Sequence, residues 1–241
     1  MINITRKPEK IDSLETEEIK VYTDKAVAFF KDPMNKQRPK MHAPYRNPDL
    51  FKAFDNCFYS KCYLTEQKFL NSRKMDVDHF IPLNERPDLA YTWSNLFPSE
   101  HLANMMKPKK TPDGGYLDPT NPEDNVEEDI LYSLSIYGEN PVFEAKDPEC
   151  IKSKNTVKLL DRLHNGYDGE SSENTKSLRG VIQKKYIKIL KKIIAYNNAQ
   201  NSQEKFQKHR ELKELLSRKS SYTMLCRSIP EVRKLSKEFF D

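Results

Sequence analysis

The sequence predicts an α+β protein that is mainly α-helical, and three observations carry that reading. Residues 177–197 place Leu178, Val181, Ile182, Tyr186, Ile189, Leu190 and Ile193 on one helical face, with Lys184, Lys188, Lys191 and Lys192 on the other. Residues 75–80 alternate Met75, Val77 and His79 with Asp76, Asp78 and Phe80, as a strand does. Hydrophobic content is 37% against 32% charged, which is polar for a folded chain, yet twelve Phe and twelve Tyr supply bulky core material.

Four segments follow in order. Residues 1–56 form an N-terminal helical segment. Ser13 is a plausible N-cap, followed by Glu15, Glu17 and Glu18 in the turn where the helix dipole favours acids. The helix runs to about residue 31 with Val21, Tyr22, Ala26, Phe29 and Phe30 as its apolar stripe. Pro33, Pro39 and Pro44 then impose an extended connector. Its Lys36, Arg38, Lys40 and Arg46 read as solvated or as nucleic-acid contacts, and His42 as a surface residue. A second helix is predicted over 49–60 from the spacing of Leu50, Phe51, Phe54 and Phe58.

Residues 57–110 form the segment expected to carry the chemistry. Residues 61–70 are predicted as the first strand of a hairpin, Asn71-Ser72 as its turn and 75–80 as the second strand. Asp78 and His79 then fall on opposite faces unless the strand ends between them, as Pro82 suggests. Tyr91, Trp93 and Leu96 read as packing residues after a polar loop. A short helix over 99–106, capped by Ser99 and stopped before Pro108, puts His101 and Asn104 on one face, with Lys107 extending it.

Residues 111–150 are an acidic loop with short strands. The Pro/Gly/Asp-rich run 111–124 makes turns, and its Asp118 is either a turn residue or a metal ligand. Strands are expected over 130–137 and 142–145, turning at 138–140. Residues 151–241 are a helical C-terminal region with a basic face. One helix starts at residue 155, carries Val157, Leu159, Leu160 and Leu163, and ends at Asn165-Gly166, with His164 near its C-terminal cap. Helices over 177–197 and 204–216 follow, and residues 222–241 hold enough Leu, Ile and Phe to dock.

The net charge of +5 hides a segregation. Residues 112–149 hold eleven acidic side chains against one Lys, whereas 176–219 hold thirteen Lys and Arg against three Glu. One end suits a polyanion and the other repels it. The Lys184, Lys188 and Lys191 stripe is either a solvated face or a surface for nucleic acid or an acidic partner. Cys57, Cys62, Cys150 and Cys226 show no C-x-x-C spacing and are expected as reduced thiols. With no apolar run of about 18 residues and no apolar core near the N-terminus, a cytoplasmic location is expected.

The densest constellation is the Asp78-His79 pair, Asn95 in a Trp-x-Asn-Leu run, and Asn104 with Lys107 one turn on. Phosphodiester hydrolysis needs an activated water, a Lewis acid for the developing charge and help for the leaving oxygen. His79 is mostly neutral at neutral pH and can act as the base. Asp78 offers a hard oxygen ligand and Asn104 a neutral one, a pair that suits Mg²⁺ or Mn²⁺ better than a closed zinc site. The Asn95 amide can tie the loop backbone and orient His79, and Lys107 is placed to contact a phosphate. By spacing alone the same residues also read as turn and cap residues.

The order Asp-His, Trp-x-Asn-Leu, then Asn with Lys three residues on resembles the HNH (ββα-metal) endonuclease superfamily. Within it the chain is similar to the HNH endonucleases encoded with retrons and Septu-type anti-phage systems. Their pattern is Cys-x-Tyr-Cys-Glu, Val-Glu-His-Phe-x-Pro-Lys, Trp-x-Asn-Leu and Cys-x-x-Cys-Asn-x-x-Lys. VDHFIPL, WSNL and ANMMK stand here for the last three blocks, and Trp93 to Lys107 aligns without a gap. Looser similarity continues through 117–122, 136–138 and 156–161.

The resemblance implies a ββα-metal HNH core embedded in helical segments, with His79 as general base, Asp78 and Asn104 as metal ligands and Asn95 as the loop-orienting residue. It implies a nuclease that uses Mg²⁺ or Mn²⁺, a nucleic-acid substrate and a companion ATPase of the ABC/SMC type. In a retron setting it implies a reverse transcriptase with its RNA and DNA. The acidic and basic segments would then serve docking. The alternative is an HNH-like module whose catalysis has lapsed and which grips nucleic acid or a partner.

The departures concern the scaffold. Where the subfamily has four zinc-binding cysteines this chain has Cys62, Thr65, Glu100 and Ala103, too few ligands for a structural Zn²⁺. Packing and hydrogen bonds are expected to replace it, without help from Cys57 or His101. The subfamily's Lys after Pro is Leu83 here, which is expected to weaken a phosphate contact.

Overall fold

Capping chemistry sets where the first helix begins. Thr16, not Ser13, accepts the Ile19 amide and opens α1 (Glu17–Lys31). Ser13 is engaged elsewhere: its amide and hydroxyl donate to the Asp49 carboxylate at 2.9 and 2.7 Å. α1 buries Ile19, Tyr22 and Ala26, while Val21, expected in the stripe, faces solvent. A proline in the first turn starts α2 (Pro48–Phe58), which buries Leu50, Phe51, Phe54 and Phe58 and ends at Tyr59 in the left-handed conformation. The computed structural model describes residues 1–7, 10–32, 34, 37, 39, 46–134, 140–167 and 172–241. Lys36, Arg38, Lys40, His42, the looser similarity at 136–138 and most of the expected 138–140 turn therefore lie outside the described residues.

The hairpin differs from the expected one. β1 (Asp76–His79) pairs antiparallel with β2 (Leu96–Ser99), in the register Asp78 opposite Phe97 and His79 opposite Leu96. Residues 61–68 instead close on themselves through a single bridge between Lys61 and Lys68. Glu66 takes a φ of 57° there, which turns the chain back too tightly for a strand to continue. Residues 72–74 form a 3-10 turn rather than a hairpin turn. The loop that carries Asn95 thus joins the two strands of the hairpin. α3 (His101–Met106) follows β2 directly, capped by the Glu100 carboxylate on the Ala103 amide at 2.9 Å, while Ser99 is the last residue of the strand.

β3 (Ile130–Ser133) and β4 (Val142–Ala145) form a second two-stranded antiparallel sheet. The helical remainder is α4 (Ile151–Asn165), α5 (Glu173–Asn197), α6 (Ser202–Leu216), α7 (Thr223–Arg227) and α8 (Pro230–Arg233). The fold is mainly helical α+β, with two small antiparallel sheets. α4 starts four residues before the predicted 155 and ends where Gly166 takes a φ of 97°. α5 starts one turn earlier than its apolar spacing indicates, because Ser172 caps it through the Thr175 amide.

One contiguous core runs from Met1 to Phe239 and draws on all four segments. α5 supplies Ile182, Tyr186, Ile189 and Ile193, and packs on α6 and α4. Lys184, Lys188 and Lys191 face solvent, whereas Lys192 is half-buried and paired with Glu211. The 61–66 turn is locked to the C-terminal region by the buried Glu66 carboxylate. It pairs with Lys61 at 3.0 Å and with the Met1 amino group at 3.2 Å, and accepts the Thr223 and Met224 amides. Burial alone would raise the Glu66 pKa, but these cations and donors hold it well below the usual carboxylate range. Much of the acidic segment fastens loops: Asp118 accepts the Thr120 amide and hydroxyl, Asp124 pairs with Lys152, and Glu127 pairs with Arg218. The four cysteines are free thiols. Among the described residues no helix is long and apolar enough to cross a membrane.

His164, near the end of α4, is 2% exposed, donates Nδ1–H to the Leu160 carbonyl at 2.8 Å and packs on Phe143. Burial pushes its pKa down to about 4. Between about pH 6.5 and 4 the unfolded chain binds a proton at this ring that the folded chain refuses, so stability falls as pH falls across that window. The loss should total about 3 kcal/mol. Urea denaturation at intervals from pH 7 to 4 should show this slope in the native chain and a shallower one in His164→Phe.

Candidate functional site

Strand alternation orders the site. Asp76 and Asp78 lie on one face of β1 and His79 on the other. Asp78 is 6% exposed, and its Oδ2 accepts the Tyr63 hydroxyl at 2.5 Å and the Lys107 ammonium at 2.8 Å. Burial, then the Asp78 charge, pushes the Tyr63 phenol well above its ordinary pKa, so it remains a donor. Asp76 makes a separate set of contacts. Its Oδ2 receives His101 Nδ1 at 2.8 Å and Asn104 Nδ2 at 3.2 Å, both from one face of α3. That donation directs the amide nitrogen of Asn104 to Asp76 and reserves its carbonyl oxygen as an acceptor.

His79 Nε2 lies 2.8 Å from the Ala90 carbonyl. A carbonyl only accepts, so Nε2 carries the proton and Nδ1 the lone pair. Burial lowers the ring's pKa below its ordinary value, against the opposing effects of the Ala90 carbonyl and the Asp78 charge. The imidazole is therefore neutral at neutral pH.

Ala90 belongs to the long loop between β1 and β2, and two residues hold that loop. Asn95, 3% exposed, accepts the Ile81 amide at 2.8 Å and donates to the Ile81 carbonyl at 3.1 Å and the Leu89 carbonyl at 3.4 Å. It thereby joins the residues just after His79 to the neighbour of Ala90. Arg6 grips the loop's far end, donating to the Trp93 and Leu96 carbonyls at 2.8 and 2.9 Å and stacking over Trp93 and Phe97 at 4.4 and 4.3 Å. Burial lowers its pKa to about 10, so the guanidinium stays charged at neutral pH.

A cleft of about 400 Å³ brings together Asp78, His79 and Asn104, walled by Phe30, Val77 and Leu83. Asn95 is not among its lining residues and acts on it through the loop backbone. Lys107 also borders the cleft, yet the expected phosphate contact is not its role. It is 4% exposed, and its three protons go to Asp78, the His79 carbonyl at 2.6 Å and the Phe80 carbonyl at 3.1 Å. Lys184, Lys188 and Lys191 stand apart on α5 and do not line this cleft.

Sequence reasoning missed Asp76, His101, Tyr63 and Arg6. Asp76 shares the parity of Asp78 on the strand, and His101 shares the helical face of Asn104, so both were visible in the spacing. Tyr63 lies within the first block, between Cys62 and Thr65, but nothing local assigns its hydroxyl to Asp78. Arg6 lies 87 positions from its Trp93 acceptor and has no sequence signal.

At the four knuckle positions, Cys62 Sγ accepts the Thr65 amide at 3.5 Å and lies 3.9 Å from the Ser99 hydroxyl, while Glu100 caps Ala103. Among the described residues no three His, Cys, Asp or Glu side chains are grouped to hold a metal. The side-chain oxygen donors lining the cleft are the Asp78 carboxylate and the Asn84 and Asn104 amides. That sparse hard-oxygen set fits a cation that keeps most of its own waters, as Mg²⁺ does.

Comparison with known proteins gives one partial relationship. The chain is 37% identical over 65 residues to the Septu protein PtuB of Bacillus thuringiensis. In part, it resembles a Septu protein. The match covers 27% of this chain and 24% of PtuB, so the matched stretch spans about a quarter of that relative's length. No protein-family profile and no solved structure matches the chain.

Because Asp78 and Lys107 share a buried environment, removing one partner strands the other's charge. Lys107→Met should cost about 3–5 kcal/mol in urea denaturation. Lys107→Met combined with Asp78→Asn should recover part of that loss. Additive losses in the double variant would contradict direct coupling.

Proposed function

We propose that this chain is a metal-dependent HNH-type endonuclease that hydrolyses phosphodiester bonds of nucleic acid. It serves as the nuclease effector of a bacterial anti-phage system of the Septu or retron type, alongside a companion ATPase. The observation that carries the nuclease reading is the cleft shared by Asp78, His79 and Asn104, with His79 held as the Nε2–H tautomer by Ala90. The partial identity with Septu protein PtuB supports the defence setting.

In this reading His79 Nδ1 takes a proton from a water, whose oxygen forms a bond to phosphorus as the bond to the leaving sugar oxygen breaks. The lowered pKa keeps the ring ready for that proton at neutral pH. Asn95 fixes the loop so that the ring cannot turn away, and Asp76 aims the Asn104 amide. The Asp78 carboxylate and Asn104 carbonyl would hold Mg²⁺ or Mn²⁺, which stabilises negative charge developing on the phosphate oxygens when bound. Tyr63 and Lys107 set the position of the carboxylate.

One observation favours a second reading, a lapsed HNH-like module that only binds. The Lys107 ammonium already compensates the charge of Asp78, the carboxylate assigned to the metal. Salt-sensitive binding of nucleic acid without cleavage in either metal would support that reading.

Purified protein, alone and with the ATPase encoded beside it, should cleave DNA or RNA with Mg²⁺ or Mn²⁺. His79→Ala should lower the rate by at least 100-fold, on the order expected for a lost general base. In the native chain kcat/KM should fall as pH drops through a value below about 6.5, since protonation removes the base. Cleavage unchanged in His79→Ala would overturn the assignment.

A further inference from the structure

A second cleft lies away from His79. It encloses about 600 Å³ between the C-terminal half of α6, the 217–221 loop and Lys68. Its walls carry Lys68, Arg210, Lys213 and Lys219 against one carboxylate, Glu214, with the hydroxyls of Ser217, Ser220 and Ser221 between them. Lys192 on α5 is matched by Glu211, but none of these four cations forms an ion pair among the described residues. Burial, Lys61 and Lys219 all act on the Lys68 ammonium in the direction that disfavours its charge. Positive charge therefore accumulates here in excess of the one carboxylate, Glu214.

Arg210, Lys213 and Lys219 are exposed, and the serine loop between them is held by specific hydrogen bonds. Lys68 donates to the Lys219 carbonyl at 2.6 Å, which pins one rim of the cleft to the other. Lys61 donates to the Ser220 carbonyl at 3.0 Å from within its buried pair with Glu66. Lys185, half-buried on α5, donates to the Ser220 hydroxyl at 2.7 Å and to the Ser221 carbonyl. The Tyr222 amide closes the loop on the Glu66 carbonyl at 3.1 Å. The serine loop is thus fixed by two elements, the 61–68 turn and α5, before any ligand arrives, so little ordering cost remains for binding. Lys185 also joins this cleft to the exposed Lys184, Lys188 and Lys191 face on the same helix.

We propose that this cleft seats the phosphates of a nucleic-acid backbone, as a binding site separate from the His79 cleft. Hydroxyls and ammonium groups donate, and the Arg210 guanidinium adds a planar fork suited to phosphate oxygens. Contacts of this kind position a strand without reading its sequence. The proposal supplies a substrate-holding surface to the nuclease reading but does not depend on cleavage.

The test uses the full chain in EDTA, so that binding is measured apart from hydrolysis. The probes are fluorescein-labelled single-stranded DNA, double-stranded DNA and single-stranded RNA, titrated at several salt concentrations. Arg210→Glu with Lys213→Glu should weaken binding at least tenfold for the probe that binds best and should reduce the salt slope by about 2. Lysine acetylation footprinting of the native chain should show Lys68, Lys213 and Lys219 protected by that probe, a readout that needs no variant. Unchanged affinity and slope in a folded double variant, or no protection, would overturn the proposal. So would equal competition by polyglutamate, which would point to an acidic protein segment. A native chain that binds but does not cleave with metal would leave this proposal standing and fail the nuclease reading.

Discussion

The buried pair between Asp78 and Lys107 is the constraint on which the site depends. It joins the end of β1 to the residue that follows α3, and the Tyr63 hydroxyl adds the 61–66 turn to the same carboxylate oxygen. Lys107 also takes the His79 and Phe80 carbonyls, so the two peptide groups that follow the imidazole are fixed. Two charges out of water are costly unless their remaining donors and acceptors are met, and here every Lys107 proton has an acceptor. With β1 and α3 thus fastened, Asp76 receives Asn104 and His101, and the opposite face of the strand is left for His79.

The loop between the strands would otherwise be the weak part. It makes its own 3-10 turns at Pro87–Leu89 and Trp93–Asn95, and only the second runs into a strand, β2. Asn95 bridges the two sides of the loop, and Arg6, from the far N-terminal segment, secures its exit into β2. The Ala90 carbonyl is held by this arrangement, and it selects the tautomer of His79. A tautomer set by backbone is less easily disturbed than one set by a mobile side chain.

Much of this was legible in the sequence. The long α5 face, the aromatic spacing of α2, the alternation of β1 and the stop before Pro108 are local patterns, and local patterns survive folding. Errors fell where a side chain found a distant partner. Ser13 looked like a cap but bonds Asp49, and Lys107 looked like a phosphate contact but bonds the strand beneath it. The hairpin partner was misread because the bend at Glu66 is set by a buried ion network with Lys61 and the Thr223 and Met224 amides, none of it visible in residues 61–70. Arg6 had no signal at all, since its role rests on three aromatic rings gathered from distant segments.

The proposed hydrolysis requires a neutral His79 whose Nε2 proton is given to the Ala90 carbonyl. Long-range nitrogen–proton NMR correlation on protein labelled with ¹⁵N-histidine reads this directly. The expected result is the Nε2–H tautomer at neutral pH and a titration midpoint below about 6.5. A ring protonated on Nδ1, or a midpoint above that value, would contradict it.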